Sequence, residues 1–198
     1  MQTEPRPQAR RTRLTPERES ELYEAVLALL REVGYDALTM DAIAARTRSS
    51  KATLYRQWNS KPELVARALG HIQPVSPAEV DTGSLRGDMQ ELLDSSDDDR
   101  MEMDTALLRG LAHAVYQNED LHAALRRFKI QPEIDSINVM LQRAVARGEV
   151  PADLPALEWV PQLLIGAFLT RQLIEDLPAD RDHLARFVHA VIFPVLGV

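Results

Sequence analysis

Apolar residues recur at helical spacing along nearly the whole chain, and this periodicity constrains the fold more than any other feature of the sequence. One such stripe, in the first predicted helix, consists of Leu22, Val26, Leu29, Leu30 and Val33. Only 8 of the 198 residues are glycine, and no segment alternates apolar and polar residues as a half-buried strand would. The sequence therefore predicts an all-α fold.

Capping residues divide the chain into an N-terminal head and a C-terminal body. Thr15 stands before a proline and a glutamate, which is typical of a helix start, and Gly34 predicts a left-handed end to that first helix. Three more helices of the head are expected to be capped by Thr39, by Ser50 and by either Asn59 or Ser60. We expect a flexible basic arm over 1–14, a helical head over 15–72 and a body over 78–198.

The body is predicted to contain five helices. Their approximate ranges are 83–95, 100–117, 119–147, 155–176 and 181–196. The acidic segment DSSDDDR is expected to be a solvated loop, and Pro132 is expected to break or kink the third of these helices.

Composition excludes several classes of function. The chain has no cysteine, which rules out disulfides, thiolate nucleophiles and cysteine-based zinc sites. No run of about 18 apolar residues indicates a membrane span, and the N-terminus does not resemble a secretory signal, so we expect a cytoplasmic protein. The formal net charge is -7, yet residues 1–61 hold 11 basic and 8 acidic residues. Either the head alone meets a polyanion, or this mild bias is chance.

The segment KATLYRQW predicts a short cationic helix that follows another short helix across a tight turn, a pattern typical of a DNA-reading helix-turn-helix. At 100° per residue, Leu54 and Trp58 share one side and can dock on the core. The opposite side carries Ala52, Thr53 and Arg56, flanked by Lys51 and Tyr55.

The outward side chains suit duplex DNA. Ala52 allows close approach and can touch a thymine methyl, and Arg56 can bind guanine with two hydrogen bonds. The groups suited to phosphate oxygens are those of Ser50, Thr53, Tyr55 and Lys61. The alternative is a small amphipathic core helix whose solvated face happens to be basic.

The stretch LTMDAIAARTRSSKATLYRQWNSKPELVARAL resembles the N-terminal DNA-binding domain of TetR-family transcriptional regulators. The matching residues are Thr39, Ile43, Ala44, Ser50, Thr53, Leu54, Tyr55, Trp58, Lys61 and Leu64. The resemblance implies that the third helix enters the major groove and that Tyr55 and Lys61 contact phosphate, with Thr53 and Lys51 in similar roles. The full set of expected DNA-binding residues is Thr39, Arg48, Ser50, Lys51, Ala52, Thr53, Tyr55, Arg56 and Lys61.

The turn between the second and third helices departs from the family pattern, because Arg48 replaces the usual glycine and Ser49 replaces an apolar residue. Either the turn differs, or Arg48 carries a left-handed conformation that costs roughly 1 kcal/mol and adds a cation near the DNA backbone. Arg10, Arg11 and Arg13 form an arm that either reaches the minor groove or is a disordered tail.

The stretch LQRAVARGEVPADLPALEWVPQLLIGAFL also resembles a TetR-family C-terminal region, at Ala144, Arg147, Gly148 and Glu149. The helix over 155–176 is apolar almost all round, which indicates a homodimer interface or a helix at the centre of one domain. The expected interface residues are Trp159, Leu163, Gly166, Ala167, Phe187 and Val191.

A body that senses a small molecule needs a cavity. The candidate lining residues are Met103, Leu107, Leu111, Tyr116, Phe128, Ile137, Met140 and Phe168, each of which can equally be plain core. We expect an apolar or aromatic effector, no cofactor and no metal, because Glu119 and His122 form a single Glu-x-x-His unit and a di-iron bundle needs two.

The sequence therefore predicts a non-enzymatic, homodimeric, DNA-binding transcriptional regulator. Its expected action is repression at a palindromic operator, from which a small-molecule effector releases it. The alternative is a helical ligand-binding module or di-iron bundle protein that does not bind DNA.

Overall fold

The computed structural model describes residues 14–71 and 75–198, and the regular secondary structure of those residues is helical throughout, which confirms the predicted fold class. The head contains α1 (Pro16–Ala37), α2 (Met40–Thr47), α3 (Lys51–Trp58) and α4 (Lys61–Gly70). Residues 1–13, including the predicted arginine arm, lie outside the described residues.

The body begins with α5 (Leu85–Asp94), α6 (Asp98–Gln117) and α7 (Glu119–Leu125). A π-helical segment (Arg126–Ile130) joins α7 to α8 (Gln131–Ala146). A 3₁₀ segment (Pro155–Trp159) leads into α9 (Val160–Glu175). The chain ends in α10 (Arg181–Phe187), a second π-helical segment (Val188–Ile192) and α11 (Phe193–Leu196).

The helices of the head start at the predicted caps. The side chains of Thr15, Thr39, Ser50 and Ser60 each accept a hydrogen bond from a backbone N–H three residues later. Gly34 has a positive φ of 74° and interrupts α1, which nevertheless resumes as far as Ala37.

Two predictions about the body were wrong in part. The segment DSSDDDR is not wholly a loop, because Asp97 caps α6 and the next two aspartates form its first turn, where the helix dipole favours acidic groups. Pro132 does not break its helix. The π-helical segment directly before it widens the helix locally, and the Gln131 N–H donates to the carbonyl of Arg126.

Two apolar cores hold these elements. The first joins α1, α2, α3 and α4 to one face of α6 and to α7, so the head and body share a continuous core. The second lies among α5, α8, α9 and the C-terminal helices.

The end of α4 packs closely on the π-helical segment of the body. A Cβ at Gly70 would lie 2.6 Å from the carbonyl oxygen of Phe128, so only glycine permits this approach. The guanidinium of Arg67 lies 4.0 Å from the centroid of the Phe128 ring. The last helix of the head is thus fixed to the body by a backbone contact and a cation–π contact.

Candidate nucleic-acid interface and effector cavity

The inner side of α3 is anchored to α1. Leu54 and Trp58 are buried, and the Trp58 Nε1–H donates to the Tyr23 hydroxyl over 3.0 Å. The Tyr23 hydroxyl in turn donates to Glu19 over 2.7 Å, and burial raises the pKa of Tyr23. This chain of hydrogen bonds sets the rotation of α3 about its axis, and so decides which side chains face outward.

The outer face of α3 consists of Lys51, Ala52, Thr53, Tyr55 and Arg56. Four of these residues are exposed, and Thr53 is half-buried beside the helix start. Tyr55 is 44% exposed although it is aromatic. The predicted outward residues are therefore not covered by the described part of the chain, and α3 contains no carboxylate.

The start of α3 is a compact group of hydroxyls. The Ser50 hydroxyl oxygen accepts from the Thr53 backbone N–H over 3.0 Å and lies 2.8 Å from the Thr53 hydroxyl oxygen. Thr39 plays the same capping role for α2 and is exposed. All three side chains therefore have a structural role, and their contacts with DNA stay predictions.

Lys51 already has a partner. Its ammonium nitrogen lies 2.8 Å from a carboxylate oxygen of Asp41 on α2, and this hydrogen bond raises the pKa of Lys51. This ion pair cannot be read from the sequence, because Asp41 lies ten residues earlier and comes close only when α2 and α3 pack together. The pair partly offsets the positive charge of the outer face.

The turn before α3 keeps the left-handed geometry, with Arg48 in the position of the usual glycine, and the proximity of its cation to the DNA backbone stays a prediction. Arg48 has φ 52° and ψ 37°. Its N–H donates to the carbonyl of Ala45, and the Ser49 N–H donates to that of Ala44, which together form a Schellman motif. The exposed Arg48 side chain thus projects from a strained position beside the outer face of α3.

Replacing Arg48 with glycine is expected to raise the free energy of unfolding by about 1 kcal/mol, because glycine adopts positive φ without steric cost. Urea denaturation followed by circular dichroism measures this change. Arg48→Ala keeps the strain but loses the cation, and should leave stability nearly unchanged. A decrease in stability for Arg48→Gly would contradict the strained geometry.

Lys61 has a structural role that the sequence did not suggest. Its ammonium donates to the carbonyls of Tyr35 and Leu38, each over 2.9 Å, and lies 4.1 Å from the centroid of the Tyr35 ring. Burial lowers the pKa of Lys61. Lys61 therefore fastens the α1–α2 connection to the start of α4, and its phosphate contact stays a prediction.

A cavity of ≈ 390 Å³ lies in the body where the two apolar cores meet. Its wall includes three of the eight predicted pocket residues, namely Ile137, Met140 and Phe168. On α6 the wall is formed by Arg100, Met101, Asp104 and Leu108. Neither Asp104 nor its charged neighbours were predicted, because an isolated acid on a helix is usually solvated.

The other five predicted pocket residues lie outside this cavity. Leu107 and Leu111 are buried in the core shared with the head, and Phe128 packs against that core beneath Arg67. Met103 is 46% exposed and Tyr116 is 91% exposed. The physical reason is that α6 buries two neighbouring faces, one against the head and one against the cavity. Helical periodicity alone cannot tell which of the two borders the cavity.

The predicted dimer surface on α9 is only partly exposed, and the most exposed apolar side chains of that helix lie at other positions. Leu163 and Gly166 are half-buried, whereas Trp159 is 57% exposed. Leu173 is 85% exposed and Ile174 is 77% exposed, although neither was predicted as an interface residue. At 100° per residue the four helical residues lie on one side of α9, and Trp159 directly precedes its first turn; we call these five residues the α9 stripe.

The three remaining predicted interface residues are less exposed than Trp159. Ala167 is buried within the protomer, and Phe187 and Val191 on the C-terminal helices are half-buried. A contiguous exposed apolar patch such as the one formed by Leu173 and Ile174 is typical of an interaction surface.

Within ranges 14–71 and 75–198, no group of three or more His, Asp or Glu side chains is placed to hold a metal ion. None of the described helices is long and apolar enough to cross a membrane.

Comparisons with known proteins agree with this arrangement. Residues 22–68 match the family described as bacterial regulatory proteins, tetR family, and residues 79–191 match the tetracyclin repressor-like C-terminal domain. An uncharacterised HTH-type transcriptional regulator of Mycobacterium tuberculosis is 37% identical over 182 residues, which cover 90% of this chain and 88% of that protein.

Two further relatives extend the comparison. The DNA-binding transcriptional repressor TetR of Mycobacteroides abscessus is 32% identical over 184 residues, covering 90% of this chain and 94% of that one. The crystal structure of the TetR family transcription regulator SCO0332 superposes with a TM-score of 0.69 at 28% identity, over 92% of this chain and 98% of that chain.

Proposed function

The chain belongs to the TetR family of DNA-binding transcriptional regulators, and on that premise we propose that it is a homodimeric repressor. It binds a near-palindromic operator, and a small-molecule effector releases it. The DNA-binding unit is the head, approximately residues 15–72, and the unit for dimerisation and effector binding is the body, approximately 78–198.

The observation that carries this proposal is the outer face of α3. Its side chains are small, hydroxylated or cationic, while the inner side is fixed by Leu54 and by the hydrogen bond from Trp58 to Tyr23. A helix that reads the major groove must approach the bases closely and must offer hydrogen-bond donors to the base edges. Ala52 and Arg56 supply these two properties, and Tyr55 is placed to reach phosphate.

The homodimer follows from the α9 stripe and from the geometry of DNA. Pairing of the α9 stripe with its copy buries Leu173 and Ile174, which are otherwise in water. A two-fold symmetric pair presents two α3 helices to half-sites about 34 Å apart, one turn of the duplex. We propose that the effector occupies the body cavity and favours a dimer shape in which this separation is lost.

The protein acts by binding and not by catalysis, in the cytoplasm, where duplex DNA is accessible to it. No step of this mechanism needs a cofactor or a metal ion. The apolar wall of the cavity supports binding of a small organic effector.

Selection of genomic DNA fragments by the purified protein, followed by footprinting, tests the proposal. We expect a protected near-palindrome whose half-site centres are one turn apart. Binding should weaken steeply as salt rises, because each phosphate contact releases counterions. Fragments without a common site, or binding that is insensitive to salt, would contradict the proposed function.

The ion pair between Asp41 and Lys51 allows a test in which a substitution should increase the affinity for DNA. Asp41→Asn is expected to strengthen DNA binding by about threefold or more at low salt, because it removes a carboxylate near the phosphates and releases the ammonium of Lys51. The slope of log affinity against log salt concentration should become more negative by about one, which corresponds to one additional phosphate contact.

Fluorescence anisotropy with a labelled operator measures both quantities. Glu102→Gln on α6 is the matched control, since Glu102 is exposed and the change in net charge is the same. Equal effects of the two variants would mean that overall charge, and not the outer face of α3, sets the affinity.

A further inference from the structure

The body cavity has an apolar wall interrupted by one charged sector. The charged lining residues are Asp97, Arg100, Asp104, Lys129 and Glu133. Three carboxylates therefore face two cations, while most of the remaining wall consists of aliphatic side chains and Phe168. An occupant that matches this wall is largely apolar and has a positively charged end.

Most groups of the charged sector already have partners within the protein. The Lys129 ammonium lies 2.7 Å from the Glu133 carboxylate. Asp97 caps α6 by accepting the Arg100 backbone N–H over 2.8 Å. The Arg100 guanidinium lies 3.7 Å from the carboxylate of Glu24. An anionic ligand at Lys129 would have to displace Glu133, whereas these partners leave the carboxylate of Asp104 under-satisfied.

Asp104 is the exception. Its Oδ1 atom is buried and accepts no hydrogen bond from any described residue. The ion pair that it forms with Arg31 of α1 spans 3.7 Å, which is longer than a hydrogen bond. A buried carboxylate oxygen without a donor is costly, and burial raises the pKa of Asp104 against the attraction of Arg100, Arg31 and Lys129.

We infer that the effector is an amphipathic cation, an apolar body carrying one amine or amidine group, and that this group donates to the Asp104 carboxylate. The inference rests on the proposed function in taking the cavity as the effector site. The bound cation supplies the hydrogen-bond donor that Asp104 lacks, and the aliphatic wall with Phe168 covers the apolar body.

The same carboxylate links the cavity to the head. Arg31 belongs to α1, which packs on α2 and α4, while Asp104 belongs to α6 in the body. A ligand cation that binds the Asp104 carboxylate from the cavity shares its negative charge with Arg31. Occupation of the cavity therefore weakens an ionic contact between the body and the DNA-binding head, which is a direct route from effector to operator.

Three probes of the same shape and different charge test the inference. They are 4-phenylbutylamine, 4-phenylbutan-1-ol and 4-phenylbutanoate, titrated by calorimetry into the full-length protein without DNA. We expect the amine to bind at least about tenfold more tightly than the carboxylate, with the alcohol between them. In Asp104→Asn this preference should fall to within about twofold, because the amide is neutral.

Arg31→Gln gives an independent reading if Asp104→Asn disturbs the fold. Removing the competing guanidinium should tighten binding of the amine by about threefold or more and leave the alcohol unchanged. A purely structural role of Arg31 would affect the amine and the alcohol equally.

The inference is overturned if the carboxylate binds as tightly as the amine, if the amine preference survives in Asp104→Asn, or if none of the probes binds. DNA binding by the probe-free protein is measured separately. If the probe-free protein does not bind DNA but still prefers the amine, the proposed repressor function is refuted and the cation site is not. Operator binding without an amine preference would refute only the cation site.

Discussion

Replacing Ala52 with glutamate is expected to lower the affinity for operator DNA by at least about a hundredfold, or roughly 2.7 kcal/mol. Ala52 is exposed at the centre of the outer face of α3, where a larger side chain prevents close approach to the base pairs. The added carboxylate would also face the phosphates, and like charges at an interface cost several kcal/mol. Anisotropy with a labelled operator measures the loss.

The control for this variant is Ala123→Glu, an equally charged change at an exposed alanine of α7. Both variants should unfold at nearly the same temperature as the parent, because both positions are solvated helix surface. If Ala52→Glu retains most of its affinity, or if Ala123→Glu loses as much, the outer face of α3 does not enter the groove.

Replacing Leu173 with glutamate is expected to weaken the dimer by at least about a hundredfold. Leu173 is 85% exposed in the protomer, and burying it against a second copy would contribute about 1.5–3 kcal/mol. Because the proposed dimer is two-fold symmetric, the substitution occurs twice in the interface and places two carboxylates among apolar side chains. Sedimentation velocity over a concentration series should show a shift from dimer to monomer.

Tyr116→Glu serves as the matched control, because Tyr116 is 91% exposed and lies on α6, outside the α9 stripe. The control should remain dimeric. DNA affinity of Leu173→Glu should fall together with dimerisation, since a monomer addresses a single half-site. A Leu173→Glu protein that stays dimeric would move the interface away from the α9 stripe.

The head could be predicted from sequence almost completely, because its structure depends on local rules. The caps at Thr15, Thr39 and Ser50 follow from side-chain chemistry next to a helix start, and all three are observed. The orientation of α3 follows from the spacing of Leu54 and Trp58. The sequence left the conformation at Arg48 open, because it does not show whether a residue other than glycine adopts a positive φ at that position.

The contacts that sequence reasoning missed all depend on tertiary approach. Lys61 binds carbonyls of residues more than twenty positions away, and Asp41 reaches Lys51 only across the packed turn. Asp104 looks like an ordinary surface acid until α1 and the cavity wall enclose it. No pattern along one helix contains that information.

The body was also harder to predict because its helices are apolar on more than one side. On α6 the predicted pocket residues Leu107 and Leu111 face the head, whereas Leu108 faces the cavity. On α9 the sequence favoured Gly166 and Ala167 for close packing but did not identify the more exposed Leu173. Periodicity shows that such helices have several buried faces without assigning a partner to each.

Site-directed DNA cleavage shows whether α3 lies in the major groove. The chain has no cysteine, so Asp41→Cys creates a single attachment point for an iron chelate beside the outer face of α3. We expect two clusters of cleavage in the operator, symmetric about its centre and about one helical turn apart, and none from Ala123→Cys. Equal or absent cleavage from both labelled proteins would contradict the placement of α3 in the major groove.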